Sequence, residues 1–111
     1  MRRIWVLLML WYAAPAFAVT INGGGTSTPL SDVSVTGSAT LVRAANGNRL
    51  TLSCTNTSST DAVRWGGDSS VSVTKGQRLP AGASIEIRSL DDVYMISEGS
   101  TVEMSCTEET P

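Results

Sequence analysis

The chain has 111 residues, a length typical of a single domain. It carries eight basic and ten acidic residues, a formal net charge of −2, and no histidine. An acidic chain without a basic cluster is a poor ligand for nucleic acids or anionic membranes, because Lys and Arg bind their phosphates. The absence of histidine excludes His-based acid–base and triad catalysis.

Residues 1–18 have the three-part layout of a secretory signal. Arg2 and Arg3 precede an apolar run over 4–14, and Ala16-Phe17-Ala18 supplies small residues where a signal peptidase reads them. The run is shorter than the roughly 20 residues that span a bilayer. We therefore expect cleavage between Ala18 and Val19, with a retained hydrophobic anchor as the alternative. Cleavage leaves six basic and ten acidic residues. We expect no association with a membrane after cleavage.

Residues 19–31, "VTINGGGTSTPLS", contain three consecutive glycines flanked by Ser and Thr. Such a composition offers little surface to bury and predicts a flexible arm. The folded domain is expected over residues 32–111.

A two-residue alternation of apolar and polar side chains runs through the rest of the chain, and this period is characteristic of β-strands. It predicts strands over 32–36, 39–44, 49–54, 62–65, 70–73, 83–89, 92–97 and 101–106. Turn-forming stretches such as "ANGN", "GGDS", "KGQ" and "PAG" separate them. Seven or eight short strands with short loops predict an all-β fold, a small antiparallel sandwich of immunoglobulin-like or jelly-roll-like type. In the second strand the phase puts Leu41 inward, with a shift before Arg43.

The two cysteines are expected to face the core. Cys54 alternates in phase with Leu50 and Leu52, and Cys106 alternates in phase with the apolar residues of 101–106. In an exported protein two inward cysteines usually pair, which predicts a Cys54–Cys106 disulfide, with two buried thiols as the alternative. Two cysteines without histidine are too few ligands for a metal site, so no metal or other cofactor is expected.

Half of an immunoglobulin signature is present. Trp65 follows Cys54 by eleven residues, as the tryptophan of that fold does, but Met104 occupies the position of its tyrosine. Trp65 is more simply interpreted as a strand-end aromatic beside the turn at Gly66-Gly67.

A further pattern is carried by "ANGNRLTL" at 45–52, Asn56, "VRWGGDSSVSVTKGQRLPAGASIEI" at 63–87, "VYMI" at 93–96 and "STVEMSCTEE" at 100–109. Together these stretches resemble a family of small β-sandwich virion proteins of tailed bacteriophages, which occur as head-decoration, fibre or tail-associated domains. The resemblance implies a structural protein without catalytic residues. It also implies that Gly76 and Gly82 adopt backbone angles unfavourable for other residues, and that Leu79 and Tyr94 cover the ends of the core.

The chain departs from this family in two features. Typical members lack a secretion signal and do not depend on a cysteine pair, and tailed phages assemble their heads in the cytoplasm. Three explanations remain: a virus that assembles at or across the membrane, a host or prophage product that works outside the cytoplasm, or an uncleaved structural N-terminus. Export and a disulfide are mutually consistent, because both belong to an oxidising compartment.

No group of side chains in the sequence indicates catalysis. Adjacent carboxylates occur at 91–92 and 108–109, but neighbours on a strand point to opposite faces, so both pairs and the tail 107–111 are interpreted as solvated. Asp61 and Asp68 are candidates for an isolated ion site, although they supply few of the oxygens that calcium needs.

The sequence thus predicts a non-enzymatic structural or interaction protein, a virion component that self-associates or docks on other virion or surface proteins. The alternative is an exported periplasmic or cell-surface binding module whose loops 57–62, 66–69 and 89–92 contact a ligand. The expected location is exported, in the virion, or both. The candidate contact residues are Trp65, Asp68, Asp91 and Asp92.

Overall fold

Nine strands form two antiparallel sheets in the computed structural model, which describes residues 25–111. The predicted signal over 1–18, the cleavage position between Ala18 and Val19, and residues 19–24 lie outside the described residues. The strands are β1 (Thr26–Pro29), β2 (Val33–Val35), β3 (Thr40–Arg43), β4 (Thr51–Asn56), β5 (Val63–Gly66), β6 (Gln77–Leu79), β7 (Ser84–Ile87), β8 (Val93–Ser97) and β9 (Val102–Thr110).

The two sheets pack face to face as a small β-sandwich. Sheet A has the order β1-β9-β4-β7. β1 and β2 both pair with the edge of β9 that faces away from β4: β1 with residues 107–110 and β2 with residues 102–104. Sheet B has the order β3-β8-β5-β6. The predicted fold class is therefore confirmed, with nine strands in the described part of the chain instead of seven or eight.

The core consists of the inward residues of both sheets, most of them at the alternating positions that the sequence indicates. Its largest fully buried side chains are those of Leu52, Ile87, Met95 and Met104. Burying a side chain of this size stabilises the fold by about 1.5–3 kcal/mol. The buried cluster is Val35, Val42, Leu52, Cys54, Val63, Leu79, Ile87, Val93, Met95, Val102, Met104 and Cys106.

The prediction of a strand over 70–73 is wrong. This stretch belongs to the loop between β5 and β6, in which only Ser72 and Lys75 form an isolated bridge. Val71 is buried against Gly66, whereas Val73 is half exposed, so one valine anchors the loop and the other faces solvent. The spacing of Val71 and Val73 is compatible with a loop that buries one valine as well as with a strand. The actual strand, β6, follows Gly76, whose φ of 125° turns the chain.

Two leucines face solvent although the alternation puts them inward. Leu41 is 45% exposed and lies opposite Tyr94, whereas Val42 is buried, because the β3–β8 register shifts between Leu41 and Arg43. Leu50 precedes the first residue of β4 and is 47% exposed. A bulge and a strand start thus override the periodicity.

Both ends of the folded domain are more ordered than predicted. Thr26–Pro29, within the predicted flexible arm, forms β1, which pairs with the last four residues of β9. The tail 107–111 is therefore not simply solvated, because β9 continues to Thr110. All four residues of β1 are exposed, so this strand joins the sheet through its backbone and adds no side chain to the core.

Cys54 and Cys106 form the disulfide that the sequence predicts. They lie directly opposite each other on β4 and β9, with Cα atoms 4.1 Å apart. The carbonyl of Cys106 accepts a hydrogen bond from the Leu30 amide, away from β4, so the cysteines occupy a non-hydrogen-bonded pair, where strands approach most closely. The bridge lies within one sheet, whereas the immunoglobulin bridge joins two sheets.

Candidate interaction surface

Three loops come together at one end of the sandwich, which we call the Leu50 end: residues 44–50, 67–76 and 88–92. The antiparallel register places them there, because Gly66 at the end of β5 lies opposite Tyr94 near the start of β8. The Asn46 amide donates to the Leu90 carbonyl at 2.9 Å, which links the first and third loops directly.

Arg49 holds this end together from inside. Its side chain is buried, and Nε donates to Glu108 at 2.9 Å. Nη1 donates to the carbonyls of Ser89 and Asp91 at 3.0 and 2.9 Å, and Nη2 donates to the Ala44 carbonyl at 2.7 Å. The planar guanidinium suits this role because its rigid fork presents several donors at once. One side chain thus fixes two loops to the end of β9.

Glu108 completes the cluster and corrects the prediction that it is solvated. It is 3% exposed, and it also binds Arg43, whose Nη2 lies 2.7 Å from Oε1. The hydrogen bond from Arg43 and then the one from Arg49 lower the pKa of Glu108 to about 2, although burial alone would raise it. The same contact raises the pKa of Arg43. Glu108 shares the inward phase of Cys106, two residues earlier, and this was the signal in the sequence for its burial.

All three predicted contact aspartates lie at the Leu50 end. Two of them order its loops: Asp92 Oδ1 accepts from the Ala45 amide at 2.7 Å, and Asp68 Oδ1 accepts from the Ser70 amide at 2.8 Å. Hydrogen bonds from Ser70 lower the pKa of Asp68. Asp91 is exposed, and its carbonyl, not its carboxylate, binds Arg49.

Trp65, the fourth predicted contact residue, lies partly against the core. Its Nε1 is buried without a hydrogen-bond partner among residues 25–111. Leu79, expected over one end of the core, is a buried member of it. Tyr94 differs from expectation, because it lies on the outer face of sheet B opposite Leu41 and Gly66.

Exposed aliphatic side chains concentrate at the Leu50 end. Leu50, Val73 and Leu90 are 47%, 50% and 47% exposed, and each lies in a different one of the three loops. The fourth large exposed hydrophobic residue in the described part of the chain, Leu41, is on the outer face of sheet B. Single exposed leucines are ordinary, and it is the concentration of three exposed aliphatic side chains in loops of one end that makes this end the candidate contact site.

The opposite end of the sandwich holds the loop 57–62 and is built differently. Asp61 Oδ2 accepts from the Ser100 amide at 3.3 Å. Asn56 is fully buried, its Nδ2 donates to the Asp61 carbonyl at 2.9 Å, and its Oδ1 accepts from the Ser58 amide. Asp61 and Asp68 therefore lie at opposite ends and share no ion site. Loop 57–62 likewise lies at the opposite end of the sandwich from loops 66–69 and 89–92.

Within residues 25–111, no cluster of three or more acidic or cysteine side chains is placed to hold a metal ion. The same residues enclose no pocket. Residues 25–111 contain no helix that is long and apolar enough to cross a membrane. Comparison with known protein families, curated proteins and solved structures gives no match to this chain.

Proposed function

We propose that this chain is a non-enzymatic structural protein that acts by protein–protein contact, as a component of a bacteriophage virion such as a capsid decoration, fibre or minor coat protein. The observation that carries the proposal is the Leu50 end, where three loops each present an exposed aliphatic side chain. Interfaces place apolar anchors inside a polar rim, and Asp68 and Asp91 supply polar groups beside these residues. The resemblance of 45–52, 63–87 and 100–109 to phage virion proteins supplies the biological setting.

The rigidity of this end supports a contact role. Arg49 and Glu108 fix the loops 44–50 and 88–92 from below, so Leu50 and Leu90 are held in place before a partner arrives. A preordered surface loses less conformational entropy on binding than a mobile one. The expected partners are other virion or surface proteins, including further copies of the chain.

A second candidate function is an exported periplasmic or cell-surface binding module of bacterial or prophage origin. The Cys54–Cys106 disulfide favours it, because such bridges persist in oxidising compartments and are rare in the cytosol. The Leu50 end serves both candidates, since a receptor and a neighbouring virion protein make the same kind of contact.

Purification from its natural source distinguishes the two candidates. A virion component is recovered in purified particles in a fixed copy number, and a periplasmic binder is released by osmotic shock as a monomer. Intact mass adds the processing state: loss of residues 1–18 and of two hydrogens indicates export with the disulfide formed. Release by osmotic shock, together with absence from particles, would contradict the virion proposal.

A further inference from the structure

The edge of β7 is the most regular open strand edge in the described residues. Pro29 and the break before Val33 interrupt the β1–β2 edge, and the register shift interrupts β3. β6 has only three residues and is followed by Pro80. β7 has four residues in continuous register with β4 and contains no proline. Prolines, strand breaks and register shifts of this sort protect sheet edges from pairing with another chain, and β7 has none of them.

The backbone of β7 directs alternate hydrogen-bonding groups outward. The Ala83 carbonyl accepts from the Asn56 amide at 2.9 Å, so by alternation Ile85 and Ile87 bond to β4. The amides and carbonyls of Glu86 and Arg88 then face the open edge. A strand laid along this edge would find unpaired donors and acceptors.

Side-chain charge selects which strand fits. Glu86 and Arg88 lie two residues apart on the outer face of sheet A, their charged groups 3.1 Å apart and their side chains 52% and 78% exposed. In an antiparallel pair of identical strands with Ile87 opposite its own copy, each Glu86 lies opposite the Arg88 of the other chain. A slip of two residues would instead place Glu86 opposite Glu86, and facing like charges are unfavourable.

We propose that β7 pairs with β7 of a second copy of this chain about a two-fold axis, joining two A sheets into one continuous sheet. The inference deepens the self-association in the proposed function and rests on it. The pairing is isologous, so every contact occurs twice. Two Glu86–Arg88 pairs and the backbone hydrogen bonds between these residues hold it.

Charge exchange tests the register. The variants are Glu86→Arg, Arg88→Glu and the double exchange, measured by sedimentation over a wide concentration range with the disulfide intact. Each single exchange turns two attractive pairs into two repulsive ones, so we expect the dimer dissociation constant to rise about tenfold or more. The double exchange restores opposite charges and is expected to recover a dissociation constant close to that of the natural chain. Glu103→Arg, the same charge change on β9 of the same face, is the control and leaves dimerisation unchanged.

Amide hydrogen exchange supplies an independent readout. At concentrations where the dimer forms, the amides of Glu86 and Arg88 are expected to become protected, which a contact through side chains alone would not produce. A natural chain that stays monomeric at all concentrations, a dimer indifferent to the single exchanges, or a folded double exchange that fails to dimerise would each overturn the inference. If a monomeric variant is recovered in virus particles, the proposed virion function stands without the β7 pairing. If the natural chain forms the β7 dimer but is absent from particles, the β7 pairing stands and the virion function is contradicted.

Discussion

Glu108 shows how one residue can determine the shape of a surface without being part of it. Its carboxylate accepts from Arg43 and Arg49, and Arg49 in turn binds the carbonyls of Ser89 and Asp91. An ion pair this deeply buried is stable only because almost every donor of Arg49 has a partner. Removing Glu108 would leave the buried Arg49 charge without compensation.

The lowered pKa of Glu108 predicts how stability depends on pH. Its folded value is about 2 against an ordinary 4.5, so its contribution is complete above pH 4.5 and is lost as the pH falls towards 2. The difference corresponds to about 3 kcal/mol in the free energy of unfolding. We expect Glu108→Gln to lower stability at neutral pH by roughly 3 kcal/mol or more and to make its pH dependence between these values shallower. Denaturant unfolding at a series of pH values measures both effects.

Glu109→Gln is the matched control for this prediction. Glu109 is the next residue along β9 and lies opposite Thr51 on the outer face, away from Arg49. Its replacement is expected to leave the neutral-pH stability nearly unchanged and the acid limb as steep as in the natural chain. Equal effects of the two substitutions would show that Glu108 contributes no more to stability or to its pH dependence than an exposed glutamate on the same strand.

Two glycines have backbone angles that disfavour any side chain, as the resemblance to virion proteins implied. Gly76 has φ 125° and Gly82 has φ 78°. A Cβ at Gly76 would also lie 2.9 Å from the Trp65 carbonyl oxygen, whereas one at Gly82 would meet nothing within 4 Å. We therefore expect Gly82→Ala to cost about 1–2 kcal/mol and Gly76→Ala to cost more. Thermal unfolding ranks them, with Gly47→Ala, an open position without positive φ, as the near-neutral control; the reverse order would refute the argument.

At the scale of strands, the sequence predicts what alternation determines and misses what one-residue irregularities determine. Val33, Val35 and Leu52 take the predicted inward phase, because regular strands against a core must alternate. Leu41 does not, because the β3–β8 register shifts between Leu41 and Arg43. The sequence indicates a shift before Arg43 but not that Leu41 faces outward. The strand β1 was missed since pairing through the backbone alone leaves no apolar periodicity to detect.

The candidate site was predictable only in part, for a related physical reason. The loop positions of Asp68, Asp91 and Asp92 follow from the sequence, because polar turn formers lie between the strands. Their role as contact residues stays a prediction. The sequence does not show that Trp65 packs partly against the core, since an aromatic residue at a strand end can pack inward as readily as outward. Arg49 and Glu108 act through a pairing over 59 residues of sequence, and such a long-range partner is visible only when β4 and β9 lie side by side.

The β4–β9 pair is fixed covalently, and this predicts a large effect of removing the bridge. The disulfide joins positions 52 residues apart and stabilises the fold by about 4 kcal/mol if it acts by restricting the unfolded chain. We expect the double substitution of Cys54 and Cys106 by Ala to lower the free energy of unfolding by at least this amount, because it also removes buried sulfur atoms. Denaturant unfolding measures the loss.

Reduction of the natural chain provides the control for that substitution. A reductant is expected to lower the stability of the natural chain towards that of the double variant and to leave the variant itself unchanged. If reduction had no effect on the natural chain, the bridge would be a passive feature of two strands already held together by packing.

At the scale of the whole molecule, the fold separates the two proposed contact surfaces. The β7 edge lies at the side of sheet A, and the Leu50 end lies where the strands finish. An antiparallel β7 pair relates two copies by a two-fold axis, so their Leu50 ends point in opposite directions along the strands. One proposed surface can therefore join identical copies while the other contacts a different partner, which is compatible with the proposed attachment to a larger lattice.

The separation predicts that the Leu50 end can lose its partner while the fold and the dimer persist. We expect Leu50→Glu combined with Leu90→Glu to reduce the copies bound per particle about tenfold or more, since the change removes apolar area from the contact and places there two carboxylates that would lose water without gaining a partner. Stability should change by less than roughly 1 kcal/mol, because both side chains are already about half exposed. Leu41→Glu is the matched control, since Leu41 is equally exposed but lies on the outer face of sheet B. Quantitative mass spectrometry of purified particles measures the copies, and an equal loss with Leu41→Glu would show that particle binding does not depend on the Leu50 end.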